Sequence, residues 1–219
     1  MTEAAPQPAP YSDTPEEREF ELRSAIGSYW TGGRLFIGIW AFFFASLAFA
    51  YFYLRSNNSG QLWRPPNATA PTSLGWAIFA VVFASALLVI YGQRRLRGGS
   101  FVDWQVAGWV GLLGGLLAIG LQIYQMTRLP FYPGSSGYAS CFIGWAVMNL
   151  MMLFSGVYWL ETILANSIRL NRAEGPDASP ATSSSPASQL FRANLDSCTY
   201  FWGFMAFVSA LFWVFFYLI

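Results

Sequence analysis

The chain has 219 residues, of which 55% are hydrophobic and only 11% charged, with a formal net charge of +1. Soluble domains carry about 25% charged residues, so a water-soluble globule is excluded, and the near-neutral balance gives no footing for a nucleic-acid partner. Histidine is absent, which removes the commonest side-chain ligand for metals and the commonest general base in catalysis.

The start of the chain is acidic, contains proline and has no early apolar core, so it does not read as a signal peptide. Residues 1–14 read as a disordered tail. Thr14-Pro15-Glu16-Glu17 then gives a helix start, with Thr14 as N-cap, Pro15 at the first helical position and Glu17 placed for a capping box. Phe20, Leu22 and Ile26 give residues 15–30 an apolar side, and the stretch is expected to be an amphipathic helix lying on the membrane surface.

Residues 31–219 are expected to form an all-α bundle of five transmembrane helices. The spans run Leu35 to Leu54, Ser73 to Tyr91, Val106 to Tyr124, Tyr138 to Leu160 and Ser197 to Ile219. Each is close to the ~20 residues that cross a ~30 Å hydrocarbon layer. None contains Asp, Glu, Lys or Arg. Intramembrane charges mark ion and proton paths, so their absence argues against a pump or carrier working through this chain alone. All basic residues are arginine. Arg18, Arg23, Arg34, Arg94, Arg95, Arg97, Arg169, Arg172 and Arg192 fall on one side, against Arg55, Arg64 and Arg128 on the other. The positive-inside rule puts the N-terminus in the cytoplasm and the C-terminus outside.

Arg94, Arg95 and Arg97 are candidates to hold anionic lipid headgroups, at about 1 kcal/mol each; enforcing topology is the competing reading. In the third span Gly108, Gly111, Gly115 and Ala118 form a small-residue stripe for helix packing, with Gly111 and Gly115 as a GxxxG pair. Asn149 is expected to hydrogen-bond between helices. Ser46, Ser85, Gln122 and Ser209 are scattered polar residues of the same kind. Cys141 and Cys198 sit at opposite ends of their spans, which disfavours a disulfide, and both read as packing residues. Glu161 reads as an interfacial charge, and the sequons at Asn57 and Asn67 as coincidental. Residues 173–190 are rich in Ser, Pro and Ala and read as a flexible cytoplasmic linker.

The spans together resemble subunit III of haem-copper terminal oxidases in its short five-helix form. That family's first shared helix reads approximately S-E-V-M-F-F-A-G-L-F-A-A-Y-F-x-L-R, and Ile39 to Arg55 here reads I-W-A-F-F-F-A-S-L-A-F-A-Y-F-Y-L-R. Trp63-Arg64-Pro65-Pro66 follows where the family often has W-P-P. Gly115, Gln122, Pro130, Phe131 and Tyr138-Ala139-Ser140 then match a later family stretch without a gap. Gly156 falls on a glycine of the fourth span, Asp196 takes the place of a Glu, and Phe201-Trp202 the place of Tyr-Trp. The departures are as informative. Trp40 stands where the family has a buried Glu; Asn149 and Met152 replace paired histidines; Gly203 and Ala206 replace a His and an Asp.

The resemblance implies a non-catalytic accessory subunit of a respiratory oxidase, of the cytochrome c oxidase type, in the cell inner (plasma) membrane. It implies packing beside catalytic subunit I and subunit II, lipid held in the helix interface, and compatibility with a respiratory supercomplex. It implies no cofactor on this chain, with haem and copper on the partner subunits. Quinol oxidases and nitric-oxide-reductase clusters carry similar subunits. A second reading is a stand-alone scaffold or small transporter sharing only the helix pattern, though transporters usually show repeats, broken helices or midplane polar sites.

Overall fold

A computed structural model describes residues 14–58, 62–66, 68–174 and 180–219. The protein is an all-α bundle of five helices: α1 (Pro15–Asn57), α2 (Thr72–Arg97), α3 (Phe101–Thr127), α4 (Gly137–Glu174) and α5 (Pro186–Trp213). All five are long and apolar enough to cross a membrane, so the chain is a multi-pass membrane protein. Lipid offers the backbone no hydrogen bonds, which is why each span satisfies its own peptide groups as a helix.

Thr14 caps α1 as expected: its hydroxyl accepts from Glu17 N, and the Glu17 carboxylate accepts from Thr14 N, both at 3.4 Å. The helix that follows corrects one expectation. Residues 15–30 are not a separate surface helix, because α1 runs unbroken for 43 residues. At 1.5 Å per residue that is roughly 64 Å, about twice the hydrocarbon thickness. The 38 residues of α4 are likewise too many for one crossing. The surplus of both helices lies at the arginine-rich end of the bundle. There is a second correction. Residues 173 and 174 still belong to α4, and α5 begins at Pro186, where Ser185 Oγ accepts from Ser188 N at 3.1 Å. Thus 186–190 is helix, not linker. The tail at 1–13 and the linker segment 175–179 lie outside the described residues.

The helices form a ring in the order α1, α5, α2, α3, α4, and α5 also packs across it onto α4. The α2–α3 hairpin turns over only Gly98-Gly99-Ser100, and Gly99 takes a φ of +91° that side chains disfavour. Burial separates centre from edge. Half of α4's most apolar window is buried against 17% of α1's, so α1 is the outer helix and offers a long face to lipid or to a neighbour.

Three segments meet at the end of the bundle away from the arginine-rich rim. Trp63, from the α1–α2 loop, sits edge-on to Tyr51 of α1 (centroids 5.2 Å) and Tyr138 of α4 (6.1 Å). Its carbonyl accepts from Tyr138 N at 3.2 Å. Phe131 packs on Tyr138 as well (5.8 Å). Here α5 loosens into a π turn, Val214–Leu218. Carbonyls there take outside donors: Tyr51 Oη donates to Phe215 O at 2.7 Å, and Tyr138 Oη to Phe216 O at 3.2 Å.

Candidate functional site

Two groups of residues are candidates: a polar chain inside the bundle and the arginine rim. The polar chain starts at Asn149 on α4, which is fully buried. Its Nδ2 donates to Gln122 Oε1 on α3 (3.1 Å), Gln122 Nε2 donates to Gln125 Oε1 (2.9 Å), and Gln125 Nε2 donates to Tyr217 Oη after α5 (2.7 Å). Helical spacing puts Gln122 and Gln125 on one face, so a single helix supplies both central links. Asn149 Oδ1 and Ser209 Oγ are buried without a partner among the described residues. Gln125 and Tyr217 were missed by sequence reasoning. Gln125 lies just beyond the predicted third span, and nothing local pairs it with a residue ninety-two positions away.

The glycines allow the close approach this core needs. A β-carbon on Gly108 would come within 2.8 Å of Leu164 on α4, and one on Gly115 within 2.7 Å of Val157 and 2.8 Å of Trp202. Gly111 faces elsewhere: its β-carbon would meet Val89 of α2 at 2.8 Å. The stripe is therefore divided, and the two glycines of the GxxxG pair serve different neighbours. Gly156 lies against Met205, 2.5 Å from where its β-carbon would be.

At the rim, the three neighbouring arginines do not act together. Arg95 Nε donates to Asp103 Oδ2 at 2.7 Å, tying α2 to α3, and its Nη2 bonds the same oxygen. That carboxylate, by hydrogen bond and charge, raises the Arg95 pKa above its usual value. Arg97 bonds Asp196 of α5 at 2.9 Å, and Gln93 Nε2 donates to the same oxygen at 2.5 Å. Asp196 thus ties α5 to α2. Arg94 has no ion-pair partner among the described residues. Glu161 is exposed. Arg192 turns inward instead, donating to the carbonyls of Pro180 and Ser183 at 2.9 Å each and so fixing the turn before α5.

Trp40 is half-buried and stacks on Phe44 (centroids 6.1 Å). Met152 is fully buried, and Gly203 faces open space on α5. Both cysteines are buried and free. Among the described residues no three His, Cys, Asp or Glu side chains gather as a metal site would require.

Neither models of known protein families nor curated proteins give a match to this chain. The class is defined by the fold: an all-α, multi-pass membrane bundle with a buried polar chain of three amides and one tyrosine hydroxyl.

Proposed function

We propose that the chain is an accessory subunit of a respiratory haem-copper terminal oxidase, of the cytochrome c oxidase type, in the cell's plasma membrane. It packs beside the catalytic subunit, steadies it and carries out no redox chemistry itself. One observation carries the reading. The separate stretches that resemble the family's subunit III supply Tyr51, Trp63, Phe131 and Tyr138, and these four residues converge in one aromatic cluster. Chance likeness in helix composition would not bring a loop tryptophan and residues on either side of it together.

A core of amides and one phenol suits a supporting subunit. Haem and copper need imidazole or similar ligands, and this chain has no histidine to offer; the centres belong to the partners. The test is purification of the tagged full chain from its own cell membranes in a mild detergent. Co-elution with a haem-bearing polypeptide, read by its absorbance, is the expected result. A haem-free homo-oligomer would overturn the proposal.

A further inference from the structure

Hydroxyls in these helices commonly bond their own backbone. Ser46, Ser155, Thr162 and Thr199 each donate to the carbonyl four residues back, at 2.8–2.9 Å. Ser85 reaches across to Gly111 O on α3 instead, at 2.6 Å. Ser209 Oγ does neither: the residue is 3% exposed, and the oxygen meets no partner among the described residues. Asn149 is fully buried and half engaged in the same way. Its Nδ2 donates to Gln122, while its Oδ1 has no donor among the described residues.

Helix register brings these two residues together. Asn149 shares a face of α4 with Trp145 and Gly156, and both of those pack on α5, Trp145 on Phe212 (centroids 6.2 Å) and Gly156 on Met205. Ser209 lies between Met205 and Phe212 on the matching face of α5. The third helix agrees. Gly115 of α3 meets Trp202 of α5, and Gln122 and Ser209 each lie two turns further along helices that run the same way. Ser209 therefore points to the level where Asn149 bonds Gln122. That level is mid-membrane, since Asn149 is 11 residues from either end of the span Tyr138 to Leu160.

We infer that one water molecule is bound between Asn149 and Ser209, donating to Asn149 Oδ1 and accepting from the Ser209 hydroxyl. Gln122 Oε1, with one lone pair taken by Asn149 Nδ2, offers an acceptor for the second hydrogen. Three bonds are the ordinary complement of a buried water. The ligand has to be small and neutral. Trp145, Met152, Met205 and Phe212, the core residues next along each face, are at most 4% exposed, so a larger molecule has no entry. A cation would stand in the membrane with no carboxylate in any span to compensate it. The buried Trp145 Nε1 also lacks a partner among the described residues, but its ring lies one turn outward, among Phe44, Phe212 and Phe216. The bound water turns the amide chain into a junction of α3, α4 and α5 and relieves two polar atoms that lipid cannot serve. The inference rests on the bundle alone and holds whichever complex the chain joins.

The test is magic-angle-spinning NMR of the full chain in lipid bilayers, with carbon-13-labelled serine and polarisation transferred from water. Ser85 is the control, being equally buried but bonded to protein. Transfer to Ser209 Cβ is expected to build up severalfold faster than transfer to Ser85 Cβ. In parallel, Asn149→Ala and Ser209→Ala should be coupled by about threefold in the unfolding equilibrium constant, the size of an average interhelical hydrogen bond in membranes. Asn149→Ala and Ser46→Ala should show no coupling. Transfer to Ser209 no faster than to Ser85 overturns the inference even if the two variants are coupled, because that pattern means a direct bond. Fast transfer without coupling overturns it too, because the water then touches Ser209 alone.

Discussion

Replacing Gly115 with alanine tests whether close helix approach holds this bundle together. The added methyl would stand 2.7 Å from Val157 Cγ2 and 2.8 Å from Trp202 Cη2. Neither neighbour yields easily. Valine in a helix keeps essentially one rotamer, and the Trp202 indole is fully buried. Such overpacking costs about 1–3 kcal/mol, while alanine in place of glycine gains about 1 kcal/mol of helix propensity. Gly120 supplies the control, since it lies on the same helix and a β-carbon there meets nothing within 4 Å. The propensity gain is common to both and cancels in the comparison. Gly115→Ala is therefore expected to be about 1–3 kcal/mol less stable than Gly120→Ala. Unfolding by SDS titration in mixed micelles, followed by tryptophan fluorescence, measures the difference. Two variants within about 0.5 kcal/mol of each other, a margin below that overpacking range, would refute the packing argument.

Gly156→Ala is expected to cost less than Gly115→Ala despite the closer approach of 2.5 Å, because the neighbour is the flexible end of Met205; the same titration ranks them. Asn149→Ala and Gln122→Ala, singly and together, should give a coupling of about 0.6 kcal/mol, the average for membrane interhelical hydrogen bonds. A coupling indistinguishable from zero would dissolve the amide chain as a structural unit. Tyr51→Phe and Tyr138→Phe remove the hydroxyls that donate to Phe215 O and Phe216 O. Each should cost about 1 kcal/mol and speed hydrogen exchange over residues 214–219, and unaltered exchange there would contradict the capping role. Asp196→Ala breaks a pair with Arg97 and removes the acceptor of the buried Gln93 amide, and should cost about 1–3 kcal/mol; a loss indistinguishable from zero would mean the α2–α5 tie carries no stability.

The five crossings were legible because hydropathy reports where lipid begins and ends. It does not report where a helix ends, and that is why α1 and α4 outrun their predicted spans. Glu, Arg and Leu in 15–30 and 161–174 are good helix formers in water, so the helices continue after the membrane stops. The start of α5 was legible and overlooked: Ser185-Pro186 is a cap followed by a first-turn proline, hidden within a Ser/Pro-rich run. The rim could not be read. Arg95 finds Asp103 eight residues on, Arg97 finds Asp196 ninety-nine residues on, and no local pattern distinguishes these arginines from Arg94.

The polar core bears on what kind of help the proposed subunit could give. A proton relay needs members that accept a proton on one side and release it on the other. The primary amides of Asn149, Gln122 and Gln125 each donate N–H to the next oxygen, and amides do not ionise in the physiological range. The amide links therefore have a direction without a mobile proton. They join α4 to α3 and α3 to the end of α5, where Tyr51 and Tyr138 also tether the π turn. Leaving any member unpaired in the membrane costs more than leaving it unpaired in water, so the set favours one register of the helices over its neighbours. A bundle that fixes its own register at one end and keeps α1 exposed along its length is built to present a defined surface, and the proposed subunit role draws on that rigidity.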